Sequence, residues 1–373
     1  MKLISIVGAR PQFVKAAVIS REIAIYNKKN PDNNIEEIII HTGQHYDNNM
    51  SKIFFKEMQI PEPQYNLGIC DCSHGAMTGR MLENIEVILK SVMPNAVLVY
   101  GDTNSTLAGA LAASKLHLPV AHIEAGLRSF NRRMPEETNR VVTDHLSDFL
   151  FCPTETSVKN LHSEGIGSIS NCFEKLPLVL NTGDVMLDAV NFYSRTGKSQ
   201  INLRYFLDAA YDGYYLTTIH REENTNNKTC LKNIFAALRS IAKKRQVILP
   251  LHPRTKKFVS MFNINTNGIS VIDPVGYFDL LNLLRHSKAV FTDSGGLQKE
   301  AYFFQKPCIT LREETEWTEL VEHGFNILTG ANKNAIISAE KSFDSKKLDY
   351  SGNLYGNGHA GMAIIETLGK YLF

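Results

Sequence analysis

VLVYGDTNSTLAGALAASKLHLPVAHIEAG, residues 97–126, reads as a strand, an aspartate, small residues, a helix, a lysine, a proline, a second strand and an acid. AVFTDSGGLQKEAYFFQKPCITLREE, residues 289–314, repeats that order. A short apolar strand that runs into a helix and back to another apolar strand is the rhythm of a parallel βαβ unit. Outward from these two segments the alternation continues. Strands are predicted at 3–8, 36–42, 96–101, 120–125 and 148–154, and again at 214–220, 246–252, 270–275, 289–294 and 308–313. The pattern predicts an α/β protein built from one architecture used twice: two Rossmann-like, doubly wound domains facing across a cleft. The break is expected within 175–185. That gives a first domain of 1–177 completed by 360–373, to which the last helix crosses back, and a second domain of 178–359.

Composition narrows the class. A length of 373 residues suits two domains, and 43% hydrophobic residues suffice for two cores. A formal net charge of +2 carries no excess that would select nucleic acid as a partner. Six cysteines lack CxxC or paired-ligand spacing, so they read as structural or incidental thiols, not as a metal site. The opening MKLISIVGARPQF is too short for a signal peptide, and no stretch reaches about 18 consecutive apolar residues. A soluble cytoplasmic protein with no membrane partner is expected.

In open parallel sheets ligands sit beyond the carboxyl ends of the strands. The unusual polar clusters fall there: GARPQFVK, HTGQHYD, GDTNST, HIEAGLR, TIHREEN, TDSGG and LREETE. In TDSGGLQKEA, Ser294, Gly295 and Gly296 open a helix whose free N–H groups suit a phosphate, and Glu300 lies one to two turns on, within reach of ribose hydroxyls. A capped helix with packing glycines is the other reading. Arg10 and Lys15 after the first strand suit a diphosphate, or form a surface cation pair. GxGxxG is absent, which argues against a nicotinamide cofactor. Asp102 caps a helix, serves catalysis, or does both. His220 at a strand tip is an acid/base candidate. HExxH and GxSxG are absent. In HIEAGLRSFNRRMPEETNR (122–140), Glu124 ends a strand and Pro135 opens a helix with Glu136 in its first turn. Glu124 and Glu136 then face the same cleft, with Arg140 one turn beyond Glu136.

GARPQFVK, TGQHYD, GDTNST, HIEAGLR, PEETNR, HREEN, TDSGG-QKEA and TEW-EL occur in the order seen in non-hydrolysing UDP-N-acetylglucosamine 2-epimerases, which the chain resembles from Gly8 to the YGNGHA loop. The resemblance implies a glycosyltransferase-B-like fold, a UDP-sugar substrate in the cleft, no metal or redox cofactor, a homodimer, and a place in surface polysaccharide synthesis. It puts the catalytic roles on Asp102, Glu124, Glu136 and His220. Nucleotide contacts fall on Arg10, Lys15, Ser294, Gly295, Gly296, Glu300 and Arg312, and Arg140 joins the substrate-binding set.

The chain also departs from the family. It reads GARPQ for GTRPE and TEWTE for TERPE, and SHGAMTGR (73–80) stands where many bacterial members have a Pro-Gly-Gln loop. Leu280 aligns with the uracil-stacking aromatic, leaving Tyr277 or Phe278 as substitutes, or no stacking residue at all. In many bacterial members a second UDP-N-acetylglucosamine activates the enzyme, partly through that loop, so its replacement implies no obligatory activation. GARPQF with SHGAMTGR resembles the subgroup acting on modified sugars such as UDP-2,3-diacetamido-glucuronic acid.

The family chemistry eliminates UDP as a base removes H2, giving a glycal, then re-adds UDP with a proton on the opposite face. It needs a base, an acid and a firm hold on the departing UDP. A hydrolysing epimerase, a glycosyltransferase on the same fold and a non-enzymatic sensor are the rival readings.

Overall fold

The computed structural model describes residues 1–44, 55, 57–167, 177–197, 199, 201–345 and 347–372. The chain forms two compact units: Met1–Asn191 with Asn353–Phe373, and Phe192–Gly352. Among the described residues of the first unit, β1 (Lys2–Val7), β2 (Glu36–His41), β3 (Tyr65–Asn66), β4 (Ala96–Tyr100), β5 (Val120–Ile123), β6 (Phe149–Cys152) and β7 (Leu178–Asn181) form one parallel sheet, ordered β3-β2-β1-β4-β5-β6-β7. In the second unit β8 (Tyr214–Thr218), β9 (Gln246–Pro250), β10 (Ser270–Ile272), β11 (Ala289–Thr292), β12 (Cys308–Thr310) and β13 (Asn326–Leu328) are ordered β10-β9-β8-β11-β12-β13, again parallel.

The winding reverses between β1 and β4 in one sheet and between β8 and β11 in the other. The two echoing segments are β4, helix Asn104–Lys115 and β5, and β11, helix Gly295–Phe303 and β12. They hold the same place in each sheet, beside the reversal, where doubly wound folds bind ligands. All ten expected strands form. The three that escape the pattern, β3, β7 and β13, are short edge strands whose apolar runs are too brief to read.

The domain boundaries differ from expectation. β7 pairs with β6 from Phe149↔Leu178 onward, so residues 178–191 belong to the first unit, and the chain returns to it at Asn353, before residue 360. The return is tied backbone to backbone. The N–H of Asp184 donates to the Tyr355 carbonyl at 2.9 Å, and a Cβ on Gly183 would lie 2.8 Å from that oxygen. The final helix, Ala360–Leu372, then buries Ile364, Ile365 and Leu368. Its Gly361 lies so near helix Arg10–Lys29 that a Cβ would come within 2.7 Å of Val18.

Each sheet is covered by its own apolar clusters. Ile4, Ile6, Val97 and Val99 pack with Met81, Ile85 and Leu89 in the first unit. Tyr215, Val247 and Phe291 pack with Leu231, Phe235 and Leu238 in the second. The strands are buried on both faces, which is why they read as unbroken apolar runs. Among the described residues no helix is long and apolar enough to cross a membrane.

Candidate active site

In the first unit β1 ends at Gly8, where a Cβ would lie 2.2 Å from the hydroxyls of Ser105 and Thr42, so only glycine fits. Gln12, fully buried one turn into the following helix, holds this turn. Its Oε1 accepts from the N–H groups of Gly8 (2.8 Å) and Ala9 (3.0 Å), and its Nε2 donates to the Tyr100 carbonyl at 2.8 Å. The amide explains why this chain reads GARPQ: a carboxylate here would confront the carbonyl with a second acceptor. Arg10 starts the helix, half-buried.

Lys15, expected on phosphate, sets its ammonium 2.5 Å from Glu124 Oε1, with both side chains nearly closed to solvent. Glu124 adopts a left-handed backbone, φ 77°, between the end of β5 and Gly126. Asp102 follows β4 and accepts from Arg140 Nε (3.0 Å) and Nη2 (2.6 Å) on the same oxygen. The helix capping considered for Asp102 falls to Thr103, whose hydroxyl accepts from the Thr106 N–H.

Among the described residues Arg140 does not pair with Glu136. Its third bond, 2.8 Å, goes to Glu137, a buried carboxylate that also accepts from the backbone of Ser129 and Phe130, both at 2.9 Å. Burial alone would raise the Glu137 carboxyl, but these donors and Arg140 reverse the effect and hold it below the usual range. Glu136 stands half-buried one residue earlier and makes no hydrogen bond or ion pair among the described residues.

SHGAMTGR opens helix His74–Val92. His74 Nδ1 lies 3.1 Å from Asn104 Nδ2, which donates to it, and Asn104 Oδ1 accepts from Asn139 at 3.3 Å. In TGQHYD, Gln44 Oε1 accepts from the Ser105 hydroxyl at 2.9 Å. His45 lies outside the described residues.

In the second unit His220 follows β8. Asp293, at the end of β11 and fully buried, accepts from the N–H groups of His220 (3.0 Å) and Arg221 (3.0 Å), and its Oδ1 lies 3.5 Å from His220 Nδ1. Sequence reasoning passed over Asp293 because TDSGG reads first as a phosphate turn. Ser294 is the N-cap of helix Gly295–Phe303 without a side-chain cap bond. Above that turn sits Glu316: a Cβ on Gly295 would lie 2.3 Å from its Oε1, while Arg312 Nη1 donates to its Oε2 at 3.0 Å. Gly296 is exposed. Glu300 is buried and accepts from the Tyr277 hydroxyl at 3.0 Å.

A concavity of about 680 Å³ past β9 and β10 is lined by Leu251, Lys256, Ile272, Pro274 and Asp279 among others. Leu280 packs into the core, and Phe278 lies 5.2 Å from the Tyr193 ring. The TEWTE departure has a physical partner: the Lys299 ammonium lies 4.0 Å from the Trp317 ring centroid, a buried cation–π contact.

The first unit thus carries Arg10, Lys15, Asp102, Glu124, Glu136 and Arg140 at the carboxyl ends of its strands. The second carries His220, Ser294, Gly295, Gly296, Glu300 and Arg312 at its own. Two doubly wound parallel units with charged strand ends define a glycosyltransferase-B-like α/β protein. The model of the UDP-N-acetylglucosamine 2-epimerase family matches residues 27–369, and the chain belongs to that family. It is 50% identical to the UDP-2,3-diacetamido-2,3-dideoxy-D-glucuronate 2-epimerase of Pseudomonas aeruginosa, over 99% of this chain and 100% of the relative. A crystal structure of Methanocaldococcus jannaschii UDP-GlcNAc 2-epimerase in complex with UDP-GlcNAc and UDP has a TM-score of 0.87 at 44% identity, covering 99% of this chain and 100% of that one. The Neisseria meningitidis UDP-GlcNAc 2-epimerase bound to UDP-GlcNAc has a TM-score of 0.85 at 30% identity, with 99% and 100% covered.

Proposed function

We propose that this chain inverts C2 of a UDP-N-acetylhexosamine without hydrolysing it, as a cytoplasmic homodimer supplying a sugar for surface polysaccharide. H2 of such a sugar is poorly acidic because no carbonyl adjoins it. Elimination avoids the problem. A base takes H2, the C2–H electron pair becomes the C1=C2 bond of a glycal, and the C1–O pair leaves with UDP. Re-addition forms the C1–O bond to UDP again while C2 takes a proton on its other face.

The observation that carries the reading is the set of carboxylates on the first unit. Glu124 faces the Lys15 ammonium and Asp102 faces Arg140, which fixes two carboxylates beside cations where charge must move. Glu136 stands half-buried and makes no ion pair among the described residues. Positioned acids and bases contribute about 10²–10⁴ in rate. Arg10, the Ser294–Gly296 turn and Arg312 are assigned to the diphosphate of UDP, whose leaving charge calls for fixed donors, Glu300 to the ribose hydroxyls, and His220 to catalysis beside the carboxylates.

Incubation with UDP-N-acetylglucosamine or its diacetamido-uronate analogue alone tests the reading, followed by proton NMR. A C2-epimeric nucleotide sugar supports it, and in D₂O that product carries deuterium at C2. Free sugar with UDP would mean hydrolysis, and an unchanged substrate would overturn the assignment.

A further inference from the structure

His122, two residues before Glu124, is completely buried and makes two short contacts. Its Nε2 lies 2.8 Å from the Gly101 carbonyl oxygen and its Nδ1 lies 2.7 Å from Asp144 Oδ1. A carbonyl oxygen only accepts. Asp144 is likewise an acceptor throughout: its other oxygen takes the Gly126 N–H at 3.1 Å and Arg128 Nη1 at 2.6 Å. Both ring nitrogens are therefore placed to donate, one to a carbonyl and one to a carboxylate that Arg128 also holds. Burial opposes ionisation of Asp144, but His122 and Arg128 outweigh it and hold the group below the usual carboxylate range.

The two ends of this network are the two loops that carry the chemistry. Gly101 precedes Asp102 and has φ 62°. A Cβ there would lie 3.2 Å from the Lys15 ammonium and 3.4 Å from Glu124 Oε1. Gly126, at φ 79°, follows Glu124 by two residues and is gripped from the other side by Asp144. One histidine–aspartate pair thus spans the turn before one assigned carboxylate and the turn after another. The network closes behind them through Arg128, which donates from Nε and Nη2 to both oxygens of Glu164 at 2.7 Å each.

We propose that His122 is a positioning residue, held as an imidazolium by Asp144, that fixes Asp102 relative to the Lys15–Glu124 pair. The kinetic side of this inference rests on the epimerase reading; the charge state does not. Neither residue belongs to the set assigned to UDP. Its loss is therefore expected in turnover and not in nucleotide binding, because misplacement on the order of 1 Å costs about 10²-fold in rate.

Two measurements test it. In wild-type protein labelled with 15N-histidine, the buried ring contacting Gly101 is expected to show both nitrogens protonated at neutral pH. A neutral tautomer with one bare nitrogen overturns the inference and requires no active enzyme or foldable variant. Separately, His122→Asn is expected to lower kcat about 100-fold, with KM and the UDP Kd and stoichiometry from calorimetry within threefold. A kcat within threefold of wild type overturns it, as does a rise in KM and Kd that matches the loss of rate. Wild-type turnover on the same substrate reports separately on the epimerase reading: its absence sinks that reading, while the ring spectrum still decides the state of His122.

Discussion

The Lys15 ammonium lies 2.5 Å from Glu124 Oε1, in a pocket where a Cβ on Gly101 would touch both groups. Breaking such a pair by removing one partner leaves a buried charge alone, which costs far more than losing an exposed pair. The lysine was expected on a diphosphate, and here one of its three donors goes to the carboxylate. Lys15→Met should therefore lower kcat by about 10²-fold or more, as Glu124→Gln should, while UDP affinity measured by calorimetry stays within a fewfold. A large loss of UDP affinity in Lys15→Met would return the lysine to the phosphate.

Glu136 and Glu137 are neighbours with opposite surroundings, and one substitution at each separates them. Glu137→Gln turns one of two buried accepting oxygens into an N–H donor that must face the Ser129 or Phe130 N–H, so it should cost about 1–3 kcal/mol of stability. The folded-state carboxyl of Glu137 lies below its unfolded value. Its contribution is therefore present above the unfolded value, about pH 4.3, and is lost as pH falls through the folded one. The stability gap between wild type and Glu137→Gln should thus be open at pH 7 and narrow in acid. Glu136→Gln should leave the unfolding midpoint within about 1 °C and lower turnover by about 10²–10⁴-fold. Equal thermal shifts in the two variants, followed by calorimetry, would reject the distinction.

Much of this arrangement was legible because parallel strands buried on both faces must be apolar runs, and what breaks them marks the carboxyl ends. The positions of Asp102, Glu124 and His220 just past β4, β5 and β8 are legible that way. The echo of residues 97–126 in 289–314 survives because both segments cover the same place beside a winding reversal. What stayed hidden depends on register or on distant backbone. Within PEETNR, only the helix phase decides that Glu137, not Glu136, meets Arg140. Asp293 acts by receiving N–H groups of a loop 73 residues away, and main-chain donors leave no residue signature. The boundary was misplaced because LVLN is too short to announce a seventh strand.

Asp188 links the fold's termini to pH. Its carboxylate caps the last helix, accepting from Gly361 N at 2.8 Å and Ala360 N at 3.2 Å. Burial, with Asp184 and Glu22 adding repulsion against those two donors, pushes it up to about 6. A carboxyl raised in the folded state contributes stability that is complete below the unfolded value, about 3.9, and lost as pH rises through about 6. The loss is on the order of 3 kcal/mol. Asp188→Asn cannot ionise, so its Tm relative to wild type should climb by several degrees between pH 4.5 and 7.5, at roughly 2–4 °C per kcal/mol. Parallel Tm profiles for the two proteins would show that Asp188 does not titrate in this range.

The departures at residues 73–80 lead to the prediction about substrate and activation. His74 is the first residue of a helix 19 residues long, and its Nδ1 accepts from Asn104, in the same stretch as Asp102. A side-chain hydrogen bond thus ties the segment to the chemistry-bearing stretch. A site whose order is built in gains little from an activator, because a ligand shifts an equilibrium only by its differential affinity for two states. The rate should therefore rise hyperbolically with substrate, and the reverse reaction from the C2 epimer should start without added UDP-N-acetylglucosamine. Similarity to the Pseudomonas aeruginosa diacetamido-glucuronate epimerase favours higher kcat/KM for a substrate with a C3 acetamido and a C6 carboxylate group than for plain UDP-N-acetylglucosamine. A panel of UDP-sugars, each assayed alone and with added UDP-N-acetylglucosamine, checks both. A sigmoidal curve, or a reverse reaction that waits for the activator, would reject the absence of activation. Preference for the unmodified sugar over every derivative would reject the altered specificity while leaving the activation result standing.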